Sequence, residues 1–573
     1  MPRKTVKKAS VLKVNRLPST RKNPVHEPSP LECSLPENRV AMEHVSVGAG
    51  PGCGKTSTCE AAYKIAFKNE KPPFKLSGQQ EAILEQFRRH RKNDSVGMFA
   101  FNKSIATELE RRGLPGRTNH SLGMNAMREH FKQVRVDDRG FKVCDILERV
   151  GIDRKKDFDT FRLAQEALSL AKQTLTGWKP GMSARDIGNY PEWDQDFTDM
   201  VVHYGLDTNG KEDTLRNLLP QALRDCASEV SRMDFDDMIW MPVVHNLRPS
   251  QYDLLVVDER QDLNAAQMVL LQRSGHRLIC VGDRNQSIYG FSGASPAAFD
   301  EMDTWMDNNG GRINLPLLET RRCPKAVVRL LNTINPDLVA LPDAPEGFLQ
   351  GYGRSADSVG PPALWSDLLG DTNSTEGIPA LSSRKNTLGP GDMVLCRLNA
   401  PLVQMAYKLV RRNIRCRIQG RKFGQGLQGM IRKSKADNIP ALVRWVEDHR
   451  SKEGNRISQS KYPSEAKLQA LNEKCDCLLF LTEGMDNIGQ LVSRIENLFS
   501  DTQGEGEVLL SSVHRGKGLE ANRVFILAPE KMPLVWEGMQ PWERVAERNI
   551  QFVAWSRTKS DLIFVATPDK SGK

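Results

Sequence analysis

The sequence predicts an α/β protein with two parallel-sheet units in tandem, each carrying a mainly helical insertion. One observation is a series of short apolar runs that alternate with helix-compatible stretches: HVSVGAG, SVGMFAFN, YDLLVVDE and HRLICVGD. The other is the return of this pattern in GDMVLCR, EVLLSSVH, NRVFILAP and DLIFVAT. Strands that alternate with crossover helices are typical of parallel sheets, so two groups of runs indicate two units.

The composition is that of a globular chain with several cores. The 573 residues exceed what one core can organise, and 39% of them are hydrophobic. The net charge of +10 suits a polyanionic partner without requiring one. The 11 cysteines show no zinc-site spacing, which favours reduced thiols inside a cell. No apolar run is long enough to span a membrane, so we expect a soluble protein without a membrane partner.

The chain divides into a tail and the two units. Residues 1–43 are basic, with no acidic residue before Glu27, and predict a disordered tail; a nucleic-acid-binding arm is the alternative. The first unit is expected over 44–305, with its helical insertion at about 125–230. The second is expected over 306–573, with its insertion at about 425–503. A Gly-, Pro-, Ser- and Asp-rich segment at about 343–390 predicts a long irregular connection.

A phosphate-binding loop follows the first apolar run. The segment AGPGCGKT has P-loop spacing, with Ala in place of the first Gly, and precedes the helix-compatible TSTCEAAYKIAF. Glycines let backbone N–H groups turn toward a β-phosphate, the lysine can neutralise the β and γ oxygens, and the threonine hydroxyl can ligate Mg²⁺. The predicted nucleotide-binding residues here are Ala49, Gly50, Pro51, Gly52, Cys53, Gly54, Lys55, Thr56 and Ser57.

Cys53 leaves two interpretations open. A thiol near a helix N-terminus can have a lowered pKa and be oxidisable. The other interpretation is a small residue that fits the loop.

Hydrolysis needs a carboxylate for the metal and a group that activates water. The segment LLVVDERQD places Asp258 and Glu259 at a strand end. With Thr56, Asp258 is the predicted Mg²⁺ ligand, and Glu259 is the predicted general base. A solvated acidic pair is the alternative. The adjacent Gln261 and Asp262, and a second strand that ends in VGDRNQSIYGFSGA, favour the catalytic interpretation.

From about residue 44 onward the chain resembles superfamily 1 DNA helicases of the UvrD, Rep and PcrA kind. AGPGCGKT resembles motif I, FAFNKSIATELERR motif Ia, and TNHSLG the Ib region. DFDDMIWMPV with DLLVVDERQD resembles motif II, VGDRNQSIYGFSGA motif III, and LPLLETRRCP motif IV. SSVHRGKGLEANRVFIL resembles motif V and ERNIQFVAWSRTKSDL motif VI. The motifs occur in the order of the family.

The resemblance implies two RecA-like cores of the P-loop NTPase class, with ATP and Mg²⁺ bound between them. Gln286 resembles the γ-phosphate sensor, and Arg322 and Arg557 resemble the arginines that the second core places at the γ-phosphate. Gly518 and Glu520 resemble the motif V contact to the nucleotide sugar and phosphates.

DNA contacts are also implied by the resemblance. Aromatic side chains provide stacking platforms that ignore base sequence, and backbone contacts hold the strand. The stacking candidates are Phe101, Tyr289 and Phe291, and the backbone candidates are Asn102, Thr118 and His120. His514 is expected to be a structural or DNA-backbone residue rather than a metal ligand.

Two departures from the family concern the nucleotide base. Glu32 stands where the family has an adenine-reading Gln, while LSGQQEAIL follows the P-loop. Relaxed adenine selectivity, a contact from Gln79 or Gln80, and no consequence are all open. Arg321 occupies the motif IV position where an aromatic residue usually stacks on adenine. We therefore expect an ATPase with loose nucleotide selectivity.

The implied function is an ATP-dependent DNA helicase or translocase that moves 3′→5′ on single-stranded DNA and unwinds duplex DNA, in repair or replication. The alternatives are an RNA-directed motor of the same superfamily and a nucleic-acid-binding scaffold with little motor activity. The short insertions indicate a compact member, expected as a monomer or weak dimer. We expect it at DNA in the cytoplasm or nucleoid, or in the nucleus or an organelle of a eukaryote.

Overall fold

The computed structural model describes residues 42–100, 103–290, 293–295, 297–351, 362–369, 387–460, 464–499 and 506–566. Within them lie two six-stranded sheets in which every neighbouring pair of strands is parallel. The predicted fold class, two tandem RecA-like parallel-sheet domains, is confirmed. The predictions for the tail up to residue 41, including Glu32, and for Phe101, Asn102 and Phe291 fall outside the described residues.

The first sheet has the strand order β3-β2-β6-β7-β1-β8. Its strands are β1 (His44–Ala49), β2 (Val96–Ala100), β3 (Gly116–Thr118), β6 (Leu254–Val257), β7 (Leu278–Gly282) and β8 (Arg312–Leu317). All residues of β6 and β7 are buried, as expected for central strands covered on both faces. β8 pairs with β1 along its whole length, so the first sheet extends past residue 305, the predicted end of the first unit. This edge strand was missed because it contains Pro316 and is mostly not buried.

The second sheet has the strand order β11-β16-β15-β12-β14-β13. Its strands are β11 (Phe348–Gln350), β12 (Met393–Cys396), β13 (Cys416–Ile418), β14 (Val508–Ser512), β15 (Ala521–Leu527) and β16 (Thr558–Val565). β11 lies within the segment predicted to be an irregular connection, so that prediction is wrong at this point. A three-residue edge strand is too short to leave a periodic signal. Two short parallel pairs complete the strands: β4 (Arg135–Val136) with β5 (Arg232–Met233), and β9 (Glu319–Thr320) with β10 (Val339–Ala340).

Helices cover both sheets and form the insertions. The first twelve, up to the helix that directly follows motif IV, are α1 (Lys55–Lys68), α2 (Gly78–Arg88), α3 (Lys103–Arg111), α4 (Asn119–His130), α5 (Phe141–Arg149), α6 (Phe158–Thr174), α7 (Trp193–His203), α8 (Glu212–Ser228), α9 (Asp237–Val244), α10 (Ala265–Gln272), α11 (Ala298–Asn308) and α12 (Lys325–Leu331). Those after it are α13 (Trp365–Leu369), α14 (Asn399–Arg411), α15 (Arg421–Ser434), α16 (Ile439–Ser458), α17 (Glu465–Thr482), α18 (Ile488–Leu498), α19 (Val513–Gly516) and α20 (Pro541–Trp555). Among the described helices, none is long and apolar enough to cross a membrane.

The two insertions touch each other. Arg456 of α16 donates to the carboxylate of Asp207 at 2.9 Å and to the side-chain oxygen of Asn209 at 2.9 Å, both in the loop before α8. The His203 ring, at the end of α7, stacks on Trp542 of α20 with centroids 5.0 Å apart. These contacts tie the first insertion to the second unit.

A buried charge cluster holds the first insertion against its own core. Lys142 of α5 and Lys172 of α6 both reach Asp237, the first residue of α9, at 2.7 and 2.8 Å. Lys172 also pairs with Asp234 at 2.6 Å. All three of the side chains that meet at Asp237 are almost completely buried. Such a cluster is costly to disrupt, because removing one partner leaves an uncompensated charge in a low dielectric.

We predict that Asp237→Ala destabilises the protein by about 3–5 kcal/mol, because the buried Lys142 loses its carboxylate partner and the buried Lys172 loses one of two. Urea unfolding of the full chain, followed by tryptophan fluorescence, measures this loss; Trp240 lies beside Lys172, whose Nζ is 5.7 Å from its ring centroid. Asp213→Ala on α8 is the matched control: its side chain is 88% exposed, and about 0.5 kcal/mol or less is expected. Equal midpoints for the two variants would contradict the prediction.

Candidate active site

The P-loop connects the carboxyl end of β1 to the first residue of α1. Gly52 and Gly54 have φ angles of 67° and 77°, in the left-handed region that favours glycine. A Cβ on Gly52 would lie 2.4 Å from the Cβ of Arg322, so only glycine allows the motif IV segment to approach this closely. The loop therefore presents backbone at the amino end of a helix, the arrangement that binds phosphate groups.

A cleft of about 950 Å³ lies between the two sheet units. The first unit lines it with the P-loop and with side chains that follow β6 and β7: Gly52, Cys53, Gly54, Lys55, Thr56, Ser57, Glu259, Asp262, Gln286 and Tyr289. Facing residues from segments after β9 are Arg321, Arg322, Pro345, Lys517, Gly518, Glu520, Arg557 and Lys559. The structure thus brings most of the predicted nucleotide residues together. Ala49, Gly50 and Pro51 lie behind the lining, where the Pro51 carbonyl accepts a hydrogen bond from Thr320 at 2.7 Å.

The acidic pair lies directly after β6. The Thr56 hydroxyl donates to a carboxylate oxygen of Asp258 at 2.5 Å. Glu259 has φ 53°, an unusual angle for a residue with a side chain, and such strain concentrates at functional sites. Its carboxylate accepts a hydrogen bond from Gln261, and Lys55 Nζ lies 3.8 Å from it. The strained turn aims Glu259 at the P-loop lysine.

The pKa values of the Asp258 and Glu259 carboxyl groups are shifted in opposite directions. Burial and the neighbouring Glu259 raise the pKa of Asp258. Burial also opposes ionisation of Glu259, but Lys55, Lys517 and Arg557 together bring its pKa below the ordinary value. Glu259 is therefore a carboxylate at neutral pH and can accept a proton from water. The buried Asp258 carboxyl and the Thr56 hydroxyl are hard oxygen ligands, a donor set that fits Mg²⁺.

Gln286 forms a bridge between the two units. Its side-chain nitrogen donates to Asp283, which follows β7, at 2.5 Å. Its side-chain oxygen accepts from Arg557 Nη2 at 3.4 Å, and Arg557 Nε is held by the Val553 carbonyl at 2.9 Å. Burial and the nearby Arg322 lower the pKa of Arg557 to about 10, so this guanidinium stays charged at neutral pH.

Arg322 is held by Glu520. Arg322 Nε donates to the Glu520 carboxylate at 2.7 Å, and Lys559 pairs with the other oxygen of Glu520 at 2.5 Å. The structure therefore places both predicted arginines and Glu520 on the same side of the cleft, facing the P-loop. Gly518, with φ 88°, lines the cleft next to them.

Lys517 was not singled out from the sequence. Its Nζ pairs with Asp262 at 2.5 Å, donates to the Gln286 carbonyl at 2.8 Å and lies 4.8 Å from the Tyr289 ring centroid. Lys517 therefore joins the motif V segment to the segments after β6 and β7. Its only sequence signal was its position within SSVHRGKGLE, because the partner lies 255 residues away.

Burial bears on the two interpretations of Cys53. Burial raises the pKa of the Cys53 thiol to about 12, so almost none of it is the reactive thiolate at neutral pH. The interpretation as a small residue that fits the loop is favoured.

Thr118 and His120 lie at the start of α4. The Thr118 hydroxyl caps this helix by accepting from the Ser121 backbone at 3.1 Å. Burial lowers the pKa of His120, so its ring is neutral at pH 7. The ring meets Phe235 edge-on, with centroids 6.1 Å apart. Phe235 is 58% exposed and was missed, because the sequence gives no sign that this aromatic residue of DFDDMIWMPV faces outward.

Tyr289 and His514 lie where the units meet. The Tyr289 hydroxyl donates to the backbone carbonyl of His514 at 3.0 Å. Burial, with the charges of Arg397 and Lys517, lowers the pKa of His514 to about 3. His514 is therefore neutral, and a group of three or more metal-ligating side chains is absent from the described residues.

Two family models match this chain in the order of the two sheets. The N-terminal domain of UvrD/REP helicases matches residues 36–306, and the C-terminal domain of UvrD-like helicases matches residues 403–568. The chain belongs to the UvrD/REP helicase family. Both matched regions contribute residues to the cleft, so the site is assembled from the two halves that define the family.

Individual UvrD-like relatives match over shorter stretches. The mitochondrial ATP-dependent DNA helicase HMI1 of Saccharomyces cerevisiae is 23% identical over 310 residues, 51% of this chain and 38% of that protein. The ATP-dependent DNA helicase PcrA of Bacillus subtilis is 26% identical over 269 residues, 43% of this chain and 31% of PcrA. F-box DNA helicase protein 1 of Schizosaccharomyces pombe is 45% identical over 53 residues, 9% of this chain and 6% of that protein. The matches therefore span less than half the length of these relatives.

Burial and the neighbouring Glu259 raise the pKa of Asp258, which predicts a pH-dependent metal requirement. As the pH falls through this raised pKa a proton competes for the carboxylate, so the Mg²⁺ concentration needed for tight nucleotide binding should rise about tenfold per pH unit. An ordinary aspartate would show no such rise above pH 5. Titration of Mg²⁺ against a fluorescent ADP analogue from pH 5 to 7.5 measures it, and Asp258→Asn should reduce the pH dependence to that of the nucleotide phosphate alone. The same pH dependence in the wild type and in Asp258→Asn would contradict the assignment.

Proposed function

We propose that the protein is an ATP-dependent motor that moves 3′→5′ along single-stranded DNA and unwinds duplex DNA. The observation that carries this proposal is the composition of the cleft. The P-loop and Glu259 come from the first unit, while Lys517 and Arg557 come from the second. A nucleotide bound there would touch both units, so its binding and hydrolysis would change how the units are held together.

The chemistry assigned to the cleft is attack of water on the γ-phosphoryl group of ATP. Glu259 accepts the proton of the attacking water, since it is ionised at neutral pH. Lys55 neutralises the phosphate oxygens, and Arg322 and Arg557 stabilise the charge that develops on the transferred group. Mg²⁺, held by Thr56 and Asp258, supplies further charge neutralisation when bound.

Coupling to movement is assigned to Gln286 and Lys517. Gln286 links Asp283 to Arg557, so loss of the γ-phosphate would be sensed by both units at once. Lys517 contacts the Gln286 carbonyl and lies over the Tyr289 ring, whose hydroxyl reaches the backbone of His514. This series of contacts leads from the nucleotide toward residues predicted to hold DNA. A change at the phosphate would thereby reach the DNA grip through packed side chains.

The DNA grip is assigned to Thr118, His120 and Phe235, together with Tyr289 and His514. Stacking on an exposed aromatic ring is indifferent to base sequence, as a translocating motor requires. Because His120 and His514 are neutral at pH 7, they would contact the strand by hydrogen bonds rather than by charge. Relatives named as ATP-dependent DNA helicases support DNA as the track.

The two alternatives predict different behaviour. A scaffold would not need Lys55, Glu259 and Arg557 gathered in one cleft. An RNA-directed motor would use the same cleft with a different track. We propose action as a monomer or weak dimer at cellular DNA; a mitochondrial relative makes an organelle one candidate location in a eukaryote.

We predict that single-stranded DNA stimulates ATP hydrolysis and that Glu259→Gln lowers kcat by about 100-fold or more, because the general base is lost.

Phe235→Ala should raise the DNA concentration for half-maximal stimulation by about fivefold or more, since one stacking platform is removed. Phe158→Ala on α6 is the matched control, with a ring 52% exposed. Steady-state hydrolysis with a titrated oligonucleotide measures all three.

Each alternative has its own outcome in this assay. Stimulation of ATP hydrolysis by RNA but not by DNA would support the RNA-directed motor. DNA binding without hydrolysis of ATP would support the nucleic-acid-binding scaffold. Equal effects of Phe235→Ala and Phe158→Ala would remove Phe235 from the DNA grip.

A further inference from the structure

A further part of the cleft is lined by Phe74, Gln80, Arg321 and Pro345. The Arg321 backbone N–H donates to the Gly52 carbonyl at 2.9 Å, which anchors this residue to the P-loop. Its guanidinium carbon lies 5.2 Å from the Phe74 ring centroid. A planar cation and an aromatic ring thus border the part of the cleft left for a nucleotide base when the phosphates occupy the P-loop.

Both polar atoms of the Gln80 side chain form hydrogen bonds with other residues of the protein. Its side chain is buried, and its nitrogen donates to the Thr58 hydroxyl at 2.9 Å. Its oxygen accepts from the Ser77 backbone at 3.1 Å and from Arg321 Nη2 at 2.8 Å. Gln79 is engaged elsewhere, because its side-chain oxygen accepts from the Leu318 backbone at 2.7 Å. Of the two glutamines, Gln80 is therefore the one at the base end, and Arg321 occupies its acceptor.

This arrangement changes which base edge fits. A glutamine reads adenine with both side-chain atoms, because adenine presents a donor at N6 and an acceptor at N7. With its oxygen held by Arg321, Gln80 has no acceptor to spare for N6. Guanine and hypoxanthine present two acceptors, O6 and N7, which an arginine can satisfy with two N–H groups. Arg321 Nη2 donates to Gln80 and also to the Lys75 carbonyl at 3.3 Å, so Nη1 and Nε are the donors left for one acceptor of the base.

We propose that Arg321 sets the base preference of this site, so that GTP and ITP, the triphosphates that carry guanine and hypoxanthine, are hydrolysed alongside ATP. The proposal rests on the proposed function, because it assumes that a nucleoside triphosphate is hydrolysed in this cleft. With Arg321 on Gln80, the Nη1 or Nε group of Arg321 can donate to O6 or N7 of the base. When Arg321 leaves Gln80 and stacks on the base, the Gln80 oxygen is free for the adenine N6 group. Pyrimidines lack N7, so the substrate class is purine nucleoside triphosphates.

The test compares kcat/KM for ATP, GTP, ITP and CTP in the wild type and in Arg321→Phe. Phenylalanine keeps a planar stacking surface, removes the N–H donors and releases the Gln80 oxygen. In the wild type, GTP and ITP should fall within about tenfold of ATP, with CTP well below. In Arg321→Phe the ratio of ATP to GTP, and of ATP to ITP, should rise about tenfold, as expected when one hydrogen bond from a charged donor is lost.

Arg329→Phe on α12 is the matched control. Arg329 is 66% exposed, pairs with Glu346 and does not line the cleft, so the ratios should stay at the wild-type values. Strict preference for ATP in the wild type, or an unchanged ratio in Arg321→Phe, would overturn the proposal while leaving the ATP-driven motor intact.

Binding provides a second measurement that does not depend on turnover. Displacement of a fluorescent ADP analogue by ADP, GDP, IDP and CDP should show the same preference and the same shift in Arg321→Phe. Absence of hydrolysis with every nucleotide would count against the proposed function, and the displacement series would still decide the base preference. Tight ADP binding with no displacement by GDP or IDP would overturn the role of Arg321.

Discussion

The architecture depends on charge balance at one edge of the first sheet. Burial raises the pKa of Asp258, Asp262 and Asp283, and Glu259 lies among them. Buried carboxylates are costly unless cations compensate them. Lys55 provides one cation from the P-loop, while the others come from motifs of the second unit: Lys517 and Arg557. Because part of the compensation comes from the opposite side, the two sheet units are held together at the point where a nucleotide would bind.

In the proposed function, this constraint would let the site act as a switch between two arrangements of the units. A triphosphate adds negative charge to a cleft already rich in carboxylates, so it favours arrangements that bring Lys55, Arg322 and Arg557 closer. Loss of the γ-phosphate removes part of that demand. In the proposed function, the contacts through Lys517 to Tyr289 would then carry the change away from the phosphates. The same charges that hold the two units together would thereby connect chemistry to movement.

Features that lie within a short stretch of sequence were predicted, whereas contacts between distant segments were missed. Central strands β1, β6 and β7 were found because they are continuous apolar runs, whereas the edge strands β8 and β11 were not. P-loop and motif II residues were found because their spacing is short. The Lys517–Asp262 pair, the exposed ring of Phe235 and the contact of Arg321 with Gln80 arise between distant segments or from surface exposure. Periodicity and motif spacing carry no information on such contacts.

The most direct test of this account is a double-mutant cycle on the pair that joins the units, Asp262→Asn with Lys517→Met. The quantity is kcat for ATP hydrolysis at saturating single-stranded DNA. Each single variant leaves one member of the pair without its partner, whereas the double variant removes both members. The account predicts that the double variant loses no more activity than the worse single variant, a coupling of about 0.5–3 kcal/mol. Losses that simply add would show that the two residues act independently, and would contradict charge compensation across the cleft as the link between the units.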